Sequence, residues 1–428
     1  MSNPIRIGIA GLGTVGAGLI KIIQKNSNIL EARAGKPIKI IAVSALSKSK
    51  DRGVDLTAYE WEDDPVALAK RDDIDVFVEL IGGESGQAKK ATEEAIKHGK
   101  HVVTANKAML AIHGQELASA AENSGVNLRF EAAVAGGIPV IKTLTESLAG
   151  NNITRIMGVM NGTCNYILTR MEDTGLAYEE IFEEANQLGF LEADPNLDVG
   201  GIDAAHKLVL LSSIAYGTQV DFNGAILEGI GRITIEDIKA ASEMGYRIKL
   251  LGVSSLSDSG LSQTMRPCLV PLTSPLAQLN GGTNMIIIEG DAVGQIVLRG
   301  AGAGEGPTAS AVIADILDIA RGINIPVFGQ PANSLIKVPA ISTSVENSFY
   351  LRLNLKDEAG ILAKVSAALA NAGISIDRIR QEGHEKDAAP VIIVTHPTDR
   401  DTLNKAISEI EETSSAIDPP VVLRIESV

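Results

Sequence analysis

The segment IRIGIAGLGTVGAGLIKIIQ, close to the start of the chain, constrains the fold more than any other. An apolar run over residues 5–10 stops at GLGTVG and resumes with apolar positions at helical spacing, which predicts strand, tight turn and helix. Glycines at the first, third and sixth places of that turn let the backbone bend sharply and come close to a pyrophosphate, whose charge the helix N-terminus favours. In this setting Gly11, Leu12, Gly13, Thr14, Val15 and Gly16 predict a dinucleotide site. A turn that only packs helix on strand is the plainer reading of the same glycines.

Four more apolar runs follow: IKIIAVSAL (38–46), IDVFVELIGG (74–83), KHVVTANK (100–107) and VNLRFEAAV (126–134), with helical patterns between most of them. Buried strands alternating with helices imply a parallel sheet with right-handed crossovers, so residues 1–135 read as a Rossmann-like domain. From about residue 140 long helical patterns precede strand-like runs such as NMIIIEG and QIVLRG, which predicts a second, α+β domain over 136–305. RGAGAGEGPTAS is a second glycine turn, and the helix after it, in about 306–340, is expected to return to the first domain. The polar stretch VPAISTSVENS (338–348) reads as a linker. Residues 349–428 then follow the order βαββαβ, a small ferredoxin-like sandwich able to fold alone. The fold class is α/β in three parts.

Composition excludes several functions. A chain of 428 residues suggests roughly two to four domains. Its formal net charge of -15, with no basic cluster, argues against nucleic acid as a partner. There are only two cysteines, no bilayer-spanning apolar stretch and no signal-peptide pattern, so a reducing, cytoplasmic setting is expected.

At the end of the second strand, where an acidic residue would hold a ribose 2'-hydroxyl, the chain has Ser44, Ala45 and Leu46, then Lys48, Lys50 and Arg52. Cations there suit a 2'-phosphate and favour NADP over NAD, unless they are merely solvated. Lys107 follows the fourth strand, at the carboxyl edge where parallel sheets bind ligands. Cys164 in MNGTCNYIL sits at a predicted helix start, where a lowered thiol pKa would suit a nucleophile, although buried cysteines are mostly inert.

EADPNLDVGGIDAAHK (192–207) groups four carboxylates and a lysine. As a calcium loop starting at Asp194 it fails, because Val199 replaces the turn glycine and Ala205 the closing glutamate. Zinc lacks ligands, with His206 alone and no cysteine. What remains is an acidic loop before a helix on which Asp203 and Lys207, four residues apart, share a face. They form either a surface ion pair, or a site whose carboxylates hold a substrate ammonium while the lysine donates a proton.

Taken together, GLGTVG, VVTANK, MNGTCNYIL, LEADPNLDVGGIDAAHK and RGAGAGEGPTAS resemble homoserine dehydrogenase in order and spacing, and residues 349–428 resemble the ACT domain of many bacterial members. The resemblance implies reversible reduction of L-aspartate 4-semialdehyde to L-homoserine with NAD(P)H, on the route to threonine, methionine and isoleucine. It implies Lys207 as proton donor, Lys107 between cofactor and substrate, and Glu192, Asp198 and Asp203 as substrate-binding residues. Gly302 joins the nucleotide site; Glu131, Val134, Gly136 and Ile138 in EAAVAGGIP become candidate sodium ligands, mostly through carbonyls. Asn354, Asp357 and Gly360, where a strand meets a helix, become candidate residues for an effector, with feedback by threonine set against a purely assembling role. A homodimer or homotetramer is expected.

Two rivals use the same segments: a phosphorylating aspartate-semialdehyde dehydrogenase acting through Cys164, and a non-catalytic amino-acid sensor that keeps the nucleotide fold. Phosphoglycerate dehydrogenase pairs similar domains but needs an active-site histidine, and no histidine here has a matching context.

Overall fold

The first apolar run becomes strand β1 (Ile5–Ala10), and its glycine turn delivers the chain into helix α1 (Thr14–Ala34). The structure, a computed structural model, describes residues 3–191, 194–342, 346–381, 388–413 and 415–428. Gly11 has φ +99, and a Cβ there would lie 2.2 Å from the Leu80 carbonyl oxygen; one on Gly16 would lie 2.1 Å from that of Gly11. Only glycine fits either place.

Strands β2 (Ile38–Ser44), β3 (Glu60–Glu62), β4 (Val76–Glu79), β5 (His101–Thr104) and β6 (Leu128–Arg129) join β1 in a six-stranded sheet, ordered β3-β2-β1-β4-β5-β6. Every pairing in it is parallel. The expected strands are shorter than their apolar runs: the fourth stops at Thr104 because Asn106 caps a helix that begins at Lys107, and the fifth passes at Phe130 into a 3-10 turn. The three-residue β3 is too short to show a period. Helices α2 (Pro65–Ala69), α3 (Gln87–Lys97) and α4 (Lys107–Asn123) cover one face through Leu68, Ala91 and Leu117.

A larger mixed sheet contains β7 (Ile153–Val159), β8 (Ile226–Leu227), β9 (Tyr246–Ser257), β10 (Gly260–Pro271), β11 (Thr283–Gly290) and β12 (Gly294–Ala301). After the short α5 (Val140–Lys142) come α6 (Gly162–Thr174), α7 (Tyr178–Gln187), α8 (Pro195–Val199), α9 (Ile202–Tyr216) and α10 (Ile235–Glu243). Helix α9 is buried from Asp203 to Ser213, so it crosses the core between the two sheets rather than lying on the surface. Helix α11 (Glu305–Arg321) returns to the first sheet and packs with α1 on its second face; it stops at Gly322, and the residues after it run irregularly.

The described residues of 338–348 are less separate than a linker should be. Strand β13 (Ala340–Ile341) pairs with β10 at Leu261 and Ser262. Beyond it, β14 (Phe349–Lys356), α12 (Ile361–Asn371), β15 (Ile376–Gln381), β16 (Ala388–Thr395), α13 (Arg400–Glu412) and β17 (Val421–Ile425) follow the expected order around a core of their own. The last strand, however, lies between β14 and β10, so the C-terminal sandwich continues the second domain's sheet. Asp237 reinforces the junction by accepting from Tyr350 Oη at 2.8 Å and Arg352 Nε at 2.7 Å.

Candidate active site

The carboxyl edge of the parallel sheet, the start of α6 and the first turns of α9 enclose a cleft of about 540 Å³. Gly201, at φ +82, lets the chain turn into α9 without a side chain, and a Cβ there would press on Met265 at 3.1 Å. Asp203 and Lys207 then stand on the buried side, each only 8% exposed. A surface ion pair is thereby excluded.

Lys207 Nζ donates to Asp203 Oδ2 and to the Met160 carbonyl, both at 2.8 Å. Lys107, arriving from the first domain, meets the other oxygen of Asp203 at 2.8 Å. One carboxylate thus joins two lysines from different domains. Burial alone would raise the Asp203 pKa, but Lys207 and Lys107 hold it well below the usual carboxylate range. Asn161, the cap of α6, donates to Asp198 Oδ1 at 2.9 Å and more weakly to Asp203 Oδ2 at 3.4 Å. Asp198, Asp203, Lys107 and Lys207 all border the cleft. Glu192 lies outside the described residues.

Cys164 does not fit the nucleophile expected of a helix start. It is fully buried, its Sγ donates to the Asp198 carbonyl at 3.2 Å, and burial together with Asp198 and Asp203 pushes the thiol pKa well up. Lys207 pulls the thiol pKa the other way, but burial outweighs it. The covalent rival therefore loses its nucleophile.

The nucleotide turn meets the same cleft. Val15 and Gly302 line it, and nothing lies within 4 Å of a Cβ on Gly13, leaving room above the turn. Both α1 and α11 begin at glycines with no side-chain cap, so two helix N-termini offer N–H groups on one side of the cleft. This is a fit for a pyrophosphate. In the loop after β2, Arg52 Nε donates to the Leu12 carbonyl at 3.1 Å, and the guanidinium lies 5.6 Å from the centre of the Trp61 ring. Arg52 is therefore tied to the nucleotide turn, not loose in solvent.

Val134, Gly136 and Ile138 share one loop, with Ala135 and Gly136 both left-handed at φ 57 and 53. The loop packs against the second glycine turn through Gly137 N to Ala301 O at 3.0 Å. The Glu131 carboxylate accepts from the Ile141 and Lys142 amides at 3.0 and 2.9 Å, and its carbonyl accepts from Val134 N at 3.3 Å. Among the described residues there is no group of three or more His, Cys, Asp or Glu able to hold a metal. In the C-terminal part Asn354 reaches Asp418 at 3.2 Å, Gly360 opens α12 at φ 90, and Asp357 lies between them in the turn.

Sequence reasoning missed Asn161 and Glu79. Glu79 ends β4, is fully buried, and accepts from Ile81 N at 2.8 Å, Gly82 N at 3.1 Å and Thr104 Oγ1 at 2.5 Å. Thr104 accepts from Asn106 N, and Asn106 caps the helix that carries Lys107. The available signal was a lone carboxylate closing an apolar strand.

A carboxylate-anchored lysine beside a nucleotide-binding edge suits hydride transfer at a small carbonyl or alcohol, and the class is that of a nicotinamide-dependent oxidoreductase. Family models described as homoserine dehydrogenase match residues 139–317 and, for its NAD-binding domain, 11–131; an ACT domain matches 349–414. The homoserine dehydrogenase of Neisseria gonorrhoeae is 42% identical over 434 residues, covering 100% of this chain and 99% of its own length. Among solved structures, homoserine dehydrogenase from Thiobacillus denitrificans has a TM-score of 0.94 at 39% identity, covering 99% of both chains. A hyperthermophilic archaeal homoserine dehydrogenase in complex with NADPH has a TM-score of 0.63 at 26% identity, covering 74% of this chain and 97% of its own. This chain belongs to the homoserine dehydrogenase family.

Proposed function

We propose that the chain catalyses the reversible reduction of L-aspartate 4-semialdehyde to L-homoserine, with Lys207 as proton donor. The observation that carries this reading is the Asp203 carboxylate held between Lys207 and Lys107 at the cleft where the nucleotide turns converge. The nicotinamide group, when bound, supplies the hydride that reaches the aldehyde carbon. The aldehyde oxygen gains negative charge only as the transition state forms, so an ammonium aimed at it stabilises that state more than the ground state. Lys207 then gives its proton to the oxygen, and in the oxidative direction takes it back. Asp203 and the Met160 carbonyl orient the amine, while Lys107 faces both cofactor and substrate. Asp198, Asp203 and Glu192 hold the substrate's ammonium end.

Gly11, Leu12, Gly13, Thr14, Val15, Gly16 and Gly302 would hold the pyrophosphate and its riboses. NADP is the preferred cofactor: Ser44 leaves no acid against a 2'-phosphate, and Arg52 is fixed beside Leu12. Carbonyls of Glu131, Val134, Gly136 and Ile138 would take a monovalent cation, a role their curled loop against the second glycine turn supports. We assign Asn354, Asp357 and Gly360 to an amino-acid effector, with threonine as the candidate end product. The protein works as a cytoplasmic homo-oligomer, and no described helix is long and apolar enough to cross a membrane.

A spectrophotometric assay of homoserine oxidation with NADP and with NAD, with and without threonine, tests these assignments together. Faster turnover with NADP and inhibition by threonine are expected. No oxidation with either cofactor would sink the reaction itself, and an unchanged rate across a threonine titration would remove the effector.

A further inference from the structure

Lys249 is 1% exposed, lies on β9 outside the cleft, and takes no part in the chemistry described above. The β7–β9 ladder ends at Gly158 opposite Gly252, before it reaches Lys249. Beside this end of β9, the side chain reaches α6 and the turn at 279–282. Its Nζ donates to Asn165 Oδ1 at 2.8 Å and to the Leu279 carbonyl at 2.5 Å. Asn165 Nδ2 donates in turn to the carbonyls of Leu279 at 3.2 Å and Gly281 at 2.7 Å. Two side chains thus satisfy the Leu279 and Gly281 carbonyls of this turn.

That turn forms a wall of the cleft. A Cβ on Gly162, the first residue of α6, would lie 2.6 Å from the Gly282 carbonyl oxygen, so turn and helix start are in direct contact. Gly282 and Asn284 both line the cleft. Asn284 Nδ2 donates at 3.1 Å to the Met160 carbonyl, the same oxygen that accepts from Lys207 at 2.8 Å. Displacing the turn would therefore move the substrate wall and loosen the anchor of Lys207 together.

We propose that Lys249, acting with Asn165, is a positioning residue for the reaction: it fastens the 279–282 turn to α6 and so fixes the wall against which homoserine is held. The inference rests on the homoserine reaction proposed above. The bonds of Lys249 and Asn165 go to the substrate side; the one link toward the nucleotide site is Asn284, whose side chain packs on Gly302, so the larger loss is expected for homoserine.

The test is steady-state homoserine oxidation by the full-length Lys249→Met and Asn165→Asp proteins. Methionine keeps the length of the side chain and removes both donated bonds; aspartate keeps the shape of Asn165 and removes its bonds to the turn. Either variant should lower kcat/KM for homoserine by about tenfold or more while KM for the nicotinamide cofactor stays within about twofold. The double variant should lose little beyond the larger single loss, as expected of residues that act as one unit. A purely structural lysine would lower the melting temperature and leave both KM values unchanged, and that outcome overturns the proposal. So would equal losses for homoserine and cofactor. If Lys249→Met does not fold, Asn165→Asp carries the same readout. A wild-type protein that fails to oxidise homoserine refutes the reaction, whereas an active wild type with unaffected variants refutes only the role of Lys249.

Discussion

Two lysines are buried on adjoining elements of the second domain, and their partners differ in kind. Lys207 on α9 meets the carboxylate of Asp203, which Lys107 also approaches. Lys249 on β9 meets only neutral oxygens, from Asn165 and Leu279. Burial pushes the Lys249 pKa down to about 7, with Arg247 adding to the fall and Glu172 and Asp173 opposing it. At the other lysine the counter-charge is firm, since Asp203 is held well below its ordinary range. Charged or neutral, the amine has an N–H for each of its two acceptors. Burial thus yields an ion pair where a carboxylate is supplied and a clasp on neutral oxygens where it is not, and only Lys207, which borders the cleft, can deliver a proton to a developing alkoxide.

The largest effect is expected at Lys207. Lys207→Ala removes the proton donor and should lower kcat by about a thousandfold, within the usual range for loss of general acid catalysis. NADPH affinity, followed by fluorescence titration, should stay within about threefold, because the glycine turns do not contact this side chain. Near-normal turnover in that variant would remove the distinction between the two lysines.

A smaller effect sharpens the other half. Because the folded pKa of Lys249 lies below that of the unfolded chain, the unfolded state binds more protons between about pH 7 and pH 10. Stability contributed at this site therefore rises with pH across that window, and below about pH 7 it no longer changes. Urea unfolding of the wild-type and Lys249→Met proteins at several pH values measures the difference; the upward slope should be shallower in the variant, by a few kcal/mol in all, roughly. Parallel slopes would mean that Lys249 keeps its charge when buried.

Much of this was legible in the sequence wherever the information is local. The glycine turn, the strands beside it and the four-residue spacing of Asp203 and Lys207 each depend on neighbours along the chain. What Lys207 touches does not: its carbonyl anchor is Met160, and Lys107 arrives from the other domain. Lys249 offered no signal, since a lysine inside IKLLGV reads as an interruption of a strand until Asn165 and Leu279 are placed beside it. The junction was equally hidden, because nothing in VVLRIES says that its strand pairs with β10 as well as β14. Resemblance to a known family supplied roles that the residue pattern alone left open.

Cys164 is the case where a local rule gave way to its surroundings, and it carries the smallest predicted effect. Burial first, and then the carboxylates of Asp198 and Asp203, which suit an ammonium in the cleft, oppose a thiolate, so the surroundings that serve the lysine silence the cysteine. The thiol's remaining role is packing and one bond to the Asp198 carbonyl. Cys164→Ala should cost about 1 kcal/mol of stability, as a modest core truncation does, and leave kcat for homoserine within about twofold of wild type. A loss of a hundredfold or more would return the sulfur to the chemistry and show that the cleft's field does not govern it. Unchanged turnover leaves the Asp203-centred pair as the device that acts on the substrate oxygen, and confines the cysteine to holding α8, which carries Asp198.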